Sequence, residues 1–123
     1  MAAPGAASPV SFRRVQRLLD GKDFTRVMRR GKRSQDSNFL VYVLRNRIGL
    51  PRLGLSVSRR VSRLATGRNL IKRILREQFR SHAAALPDID IVVNARQAAG
   101  RLNRRELNVA ANTIFHQLIK SSN

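Results

Sequence analysis

The stretch Ala65-Thr-Gly-Arg-Asn-Leu-Ile-Lys-Arg-Ile-Leu-Arg-Glu-Gln-Phe-Arg80 decides the reading of this chain. At the roughly 100° per residue of an α-helix, Leu70, Ile71, Ile74, Leu75 and Phe79 gather on one side. Arg68, Lys72, Arg76 and Arg80 recur at every fourth position, with Asn69 and Arg73 beside them and Glu77 as the sole acid. One face can be buried while the other presents a row of cations. Cationic helix faces are ordinarily solvated and laced with acids, but here there is little acid for them to pair with. Clustered arginine suits bidentate recognition of phosphate. Thr66 is the expected N-cap, and Glu77 is spaced to pair with Arg73 or Arg80.

Upstream, Leu53, Leu55 and Val57 alternate with Gly54, Ser56 and Ser58, the period-two pattern of a half-buried strand. The link to the helix, residues 59–64, adds Arg59, Arg60 and Arg63 to the basic surface. Residues 46–51 contain Gly and Pro and read as a turn, and residues 38–45 read as a strand rich in Phe, Val, Leu and Tyr. The polar run 31–37 reads as a loop. Residues 18–30 predict a short helix that starts at Asp20, stops before Gly31 and shares Phe24, Val27 and Met28 along one face. Downstream, residues 88–94 form a short apolar run expected to be a central strand. Residues 103–120 carry Leu107, Ala110, Ala111, Ile114, Leu118 and Ile119 at helical spacing, with Asn103 and Glu106 placed as a capping box. The order helix, strands, helix, strand, helix predicts a single-domain α+β sandwich. Residues 1–13, rich in Ala, Pro, Gly and Ser, are expected to be a disordered tail, and residues 14–123 one domain.

With 25 Lys and Arg against seven Asp and Glu, the 123 residues carry a formal net charge of +18. Surfaces of soluble proteins usually mix both signs, so this excess points to a polyanionic partner, nucleic acid above all. The absence of cysteine excludes disulfides, catalytic thiols and thiolate metal sites. No apolar run approaches the roughly 20 residues of a membrane span, and the first nine residues lack the pattern of a signal peptide. A cytoplasmic location without a membrane partner is expected.

No acid–base constellation is visible. His82 lies near the end of one helix and His116 inside another, and nothing links them, so each is expected to be structural or solvated. Asp88 and Asp90, two apart on a strand, underfill a cation's shell, and a turn role for Asp88 beside Pro87 is the better reading. No catalytic residue and no protein-bound metal are therefore assigned. Phe24, Phe39 and Tyr42 are aromatics of a kind that stacks on unpaired bases, although each also reads as ordinary core. Alternation puts Phe39 and Tyr42 on opposite faces of their strand.

These motifs carry a resemblance. Arg68, Asn69, Lys72, Arg73, Arg76, Glu77, Phe79 and Arg80 match the signature helix of the bacterial ribonuclease P protein family. Arg52-Leu-Gly-Leu-Ser-Val-Ser58 resembles the strand that precedes that helix, and Asp23-Phe-Thr-Arg-Val27, Phe39-Leu-Val-Tyr-Val43 and Asp88-Ile-Asp-Ile-Val-Val-Asn-Ala-Arg96 resemble its other elements. The likeness spans about residues 14 to 120. It implies a left-handed strand–helix–strand crossover. It also implies a role in removing the 5′ leader of precursor tRNA, with catalysis by an RNA subunit whose bound Mg2+ supports hydrolysis. The partners so implied are that catalytic RNA and precursor tRNA, with no obligate protein partner. Arg68, Asn69, Lys72, Arg73, Arg76 and Arg80, supplemented by Arg59, Arg60 and Arg63, become the RNA-binding set. Phe24 and Met28 become the wall of a leader-binding cleft. Met28 stands where the family commonly has Phe, Leu70 where it commonly has Arg, and Gly67 where Lys or Arg is frequent.

Two other readings fit the charge. One is a ribosomal or ribosome-assembly protein without turnover. The other is a DNA-binding regulator using residues 65–80 as a recognition helix, which the flanking strands argue against.

Overall fold

A computed structural model describes residues 20–121. The expected tail, residues 1–13, and the start of the first expected helix at Leu18 lie outside them. Helix α1 (Gly21–Arg30) opens on Asp20, whose side chain accepts the Asp23 amide at 2.9 Å. It stops at Gly31, where a Cβ would press on the carbonyl oxygens of Val27 and Val43, so the turn requires glycine for want of space. The only residue that α1 buries fully is Val27.

The run read as a loop contains a strand, β1 (Lys32–Gln35), paired antiparallel with β2 (Phe39–Arg45). All four of its side chains are exposed, so no apolar alternation could mark it, and its order comes from backbone pairing alone. Lys32 and Arg33 suit an edge position, where charge discourages further strand pairing. Asp36 tightens the hairpin by accepting the amides of Asn38 and Phe39, each at 2.8 Å.

Strand β3 (Arg52–Ser56) leads through residues 57–64 into helix α2 (Ala65–His82), and strand β4 (Ile89–Ala95) leads to helix α3 (Arg104–Ser121). The sheet order is β1-β2-β4-β3, with β4 antiparallel to β2 and parallel to β3. The apolar run is thus a central strand, as expected. The α2 N-cap is Leu64, without a side-chain cap, and Thr66 sits inside the first turn. The capping box at α3 is present: Asn103 Oδ1 accepts the Glu106 amide at 2.8 Å, and Glu106 Oε1 accepts the Asn103 amide at 2.9 Å.

One face of the sheet builds the core. Phe39, Val41, Leu53, Ile89, Ile91 and Val93 meet Ile71, Ile74, Leu75 and Phe79 of α2 and Leu107, Ala111, Ile114 and Phe115 of α3. Phe79 and Phe115 cross edge to face with centroids 5.8 Å apart, a favoured aromatic arrangement. The alternate residues Asp90, Val92 and Asn94 face the other way, toward α1, so the sheet separates α1 from α2 and α3.

Candidate nucleic-acid interface

Packing on one side of α2 sets what its other side can do. Ile71, Ile74, Leu75 and Phe79 are buried, whereas Asn69, Arg73, Arg76 and Arg80 are exposed and Lys72 is half-buried at the flank. The predicted division of faces is what the helix shows, with two refinements. Leu70 is only half-buried. Arg68 is also half-buried and donates from Nη1 to the carbonyl oxygens of Ser62 and Arg63, both at 3.0 Å. Arg68 therefore ties the helix to the loop before it as well as carrying charge. Glu77 is exposed on the same helix.

That loop holds Arg59, Arg60 and Arg63, all exposed. Its inward residue, Val61, belongs to the core together with Ala99. A Cβ at Gly100 would overlap the Val61 carbonyl, so the short 3-10 turn Gln97–Arg101 clamps the loop through a contact that only glycine allows. The three loop arginines are thus presented next to the N-terminus of α2.

On the other face of the sheet, α1 is held by charge. Asp90, only 1% exposed, accepts Arg52 Nε on Oδ1 at 2.8 Å and Arg52 Nη2 on Oδ2 at 2.7 Å. Asn46 Nδ2 adds a third hydrogen bond to Oδ1 at 2.8 Å. From α1, Arg26 pairs with Asp23 at 2.7 Å and reaches Asp90 at 3.8 Å, while Asp23 lies 3.7 Å from Arg52. The Asp90 hydrogen bond holds the Arg52 guanidinium above its ordinary pKa, against the opposing effect of burial. Asp88 is exposed, whereas Asp90 is committed to Arg52 and Asn46. Sequence reading passed over the network, although an acid inside the run Ile89-Asp90-Ile91 was a usable signal, since buried charge must be paired.

Helical spacing around the buried Val27 puts Asp23, Arg26 and Arg30 on one flank of α1 and Phe24 and Met28 on the other. The first flank meets the beginnings of β3 and β4 through Arg52 and Asp90. On that second flank Phe24 is half-buried and Met28 is 37% exposed. Asn94 Oδ1, on the side of β4 that faces α1, is buried and has no hydrogen-bond partner among the described residues. Tyr42, cross-strand neighbour of Val92, is half-buried on this face, and Phe39 is buried on the opposite one, as alternation requires.

His82 Nδ1 donates to the Gln78 carbonyl at 2.7 Å, and its ring lies against Phe115 at 6.1 Å, while His116 is exposed on α3. Among the described residues no three His, Cys, Asp or Glu gather as metal ligands, and no helix is long and apolar enough to cross a membrane.

A four-stranded mixed sheet that carries a cation-lined helix on one face defines an α+β protein suited to binding nucleic acid. The ribonuclease P family model matches residues 12–119. The ribonuclease P protein component of Aliivibrio salmonicida is 35% identical over 90% of this chain and 95% of its own length. That of Halorhodospira halophila is 42% identical over 78% of this chain and 80% of its own length. Among solved structures, the RNase P protein of Staphylococcus aureus superposes with a TM-score of 0.74 at 31% identity, covering 87% of this chain and 94% of that one. The RNase P protein of Thermotoga maritima gives 0.72 at 30% identity over 85% and 96%. The chain belongs to the ribonuclease P protein family, and its role is that of the protein subunit in tRNA processing. The ribosomal reading is not favoured.

Proposed function

We propose that this protein binds the catalytic RNA of ribonuclease P and the 5′ leader of precursor tRNA, and that the polypeptide does not itself cleave the phosphodiester. The observation that carries this reading is α2, a helix buried on one side and cationic on the other. Arg73, Arg76 and Arg80, with Lys72, Asn69 and Arg68 and the loop residues Arg59, Arg60 and Arg63, form a phosphate-binding surface. Phe24 and Met28 wall the leader cleft, and the uncommitted amide oxygen of Asn94 lies on the same face. Stacking on Phe24 and van der Waals contact with Met28 suit unpaired nucleotides.

No step is assigned to a metal held by the protein. The ions that the holoenzyme needs are assigned to its RNA, where they would support hydrolysis. What the polypeptide does is bind, orient and neutralise charge. A cytoplasmic ribonucleoprotein without an obligate protein partner completes the reading.

The test is cleavage of precursor tRNA by the RNA subunit with and without this protein, at low magnesium. The protein alone should be inactive, and adding it to the RNA should raise turnover. Cleavage by rigorously RNA-free protein, or unchanged turnover on its addition, would overturn the proposal.

A further inference from the structure

A second concentration of positive charge lies on the side of the sheet away from α2. A concavity of about 300 Å3 opens between α1 and the 46–50 turn, walled by Arg26, Arg30 and Arg47, with Leu44 and Ile48 at its sides, the end of β2 at Arg45 along its rim and the Arg52–Asp90 pair at its floor. Arg30, Arg45 and Arg47 are exposed, and the Arg26 side chain is 44% exposed. The acids within reach do not cancel this charge. Asp90 is bound bidentately by Arg52, and Asp23 faces Arg26 and Arg52. Asp90, Asp23 and the more distant Asp20 act on Arg52 and Arg26, so the positive charge of Arg30 and Arg47 is the excess held in this concave surface. Charge gathered in a cleft with low-dielectric walls focuses the field and concentrates counter-ions. Guanidinium forks favour oxygen pairs of the kind a phosphodiester presents.

We propose that this concavity is a second phosphodiester-binding site, gripping RNA backbone at a place that α2 and its loop cannot reach. The Arg52–Asp90 pair, braced by Asn46, fixes the floor. Arg26 and Arg30 on one wall and Arg47 on the other close on the phosphate, and the aliphatic surfaces of Leu44 and Ile48 face the sugar. With α2 on the opposite face of the sheet, the protein holds two RNA segments at once. The site rests on the reading of this chain as an RNA-binding subunit. Its backbone can come from the catalytic RNA or from the substrate.

The experiment measures the salt dependence of two affinities: protein for the RNA subunit, and assembled holoenzyme for precursor tRNA. The variants are Arg30→Gln/Arg47→Gln, neither of which carries a structural bond in the core, its charge-retaining counterpart Arg30→Lys/Arg47→Lys, and the surface control Arg104→Gln/Arg105→Gln at the start of α3. Thermal melts of each confirm folding. The Gln pair should lower the log–log salt slope by about 0.7 to 0.9 for each cation removed and weaken binding on the order of tenfold near physiological salt. The Lys pair should keep the slope. A change confined to the RNA subunit assigns the phosphate to the catalytic RNA, and a change confined to precursor tRNA assigns it to the substrate. If the wild-type protein binds both RNAs and the Gln pair leaves both slopes untouched, or moves them no more than the α3 control, the second site is refuted while the subunit role stands. Failure of the wild type to bind either RNA would instead refute the subunit role.

Discussion

Asp90 shows how much one residue can organise. It sits in the central strand with its carboxylate out of water, and Arg52, Asn46 and Arg26 converge on it from three other parts of the fold. Asp90→Ala should cost about 3 to 5 kcal/mol, because it leaves Arg52, its side chain only 11% exposed, without its bidentate partner. The double change Asp90→Leu/Arg52→Met should recover most of that loss, and urea unfolding of the three proteins is the check. The pair brings no acid or alkaline switch through Arg52. A guanidinium raised on folding stabilises fully below its unfolded pKa and loses that contribution only as pH climbs through the folded one, far above neutrality. Reading residues one by one reached part of this. An acid within an apolar run is visible as an anomaly, but its partners lie 38 and 44 positions away, and no periodicity points that far. The same limit hid the second role of Arg68, which depends on where the preceding loop returns.

At the scale of the element, α2 was the most legible, because its two faces obey one period. Ile74→Ala should destabilise by about 2 to 5 kcal/mol, since that side chain is buried in the core. Lys72→Ala should instead melt like wild type and lower the salt slope of RNA binding by about 0.7 to 0.9. Arg68→Ala should fall between the two classes, losing the Ser62 and Arg63 hydrogen bonds along with its charge. Binding and melting on the same set separate these outcomes. For α1, Phe24→Ala in the assembled holoenzyme should weaken precursor tRNA by about 1 to 3 kcal/mol for a stacked base while sparing mature tRNA, which has no leader. Equal losses would return Phe24 to a purely structural role. Strand β1 escaped notice because nothing in Lys32-Arg-Ser-Gln35 alternates, and its partner strand alone gives it shape. Thr66 misled for a related reason. A good capping side chain marks a helix start only if the chain enters the helix there, and here the entry is two residues earlier, at Leu64.

For the whole molecule, a net charge of +18 on 123 residues opposes compaction. Bound anions should favour the folded state by mass action. The free protein should therefore gain helical circular dichroism as sulfate is titrated into low-salt buffer, and a fully cooperative fold insensitive to the anion would contradict this. The layer arrangement was readable from element order, but the side of the sheet that α1 occupies was not, because a helix with one fully buried residue carries little pattern. The contact of Gly100 with Val61 has a further consequence, for motion. Exposed, arginine-rich loops usually open on their own, freely and often. This one is latched to the turn that leads into α3, so its opening belongs to the same cooperative unit as the C-terminal helix. Amide hydrogen exchange should show the protons of Val61 and Ser62, both bonded to the Ser58 carbonyl, slowing and quickening together with those of α3. Gly100→Ala should set the loop free to exchange alone.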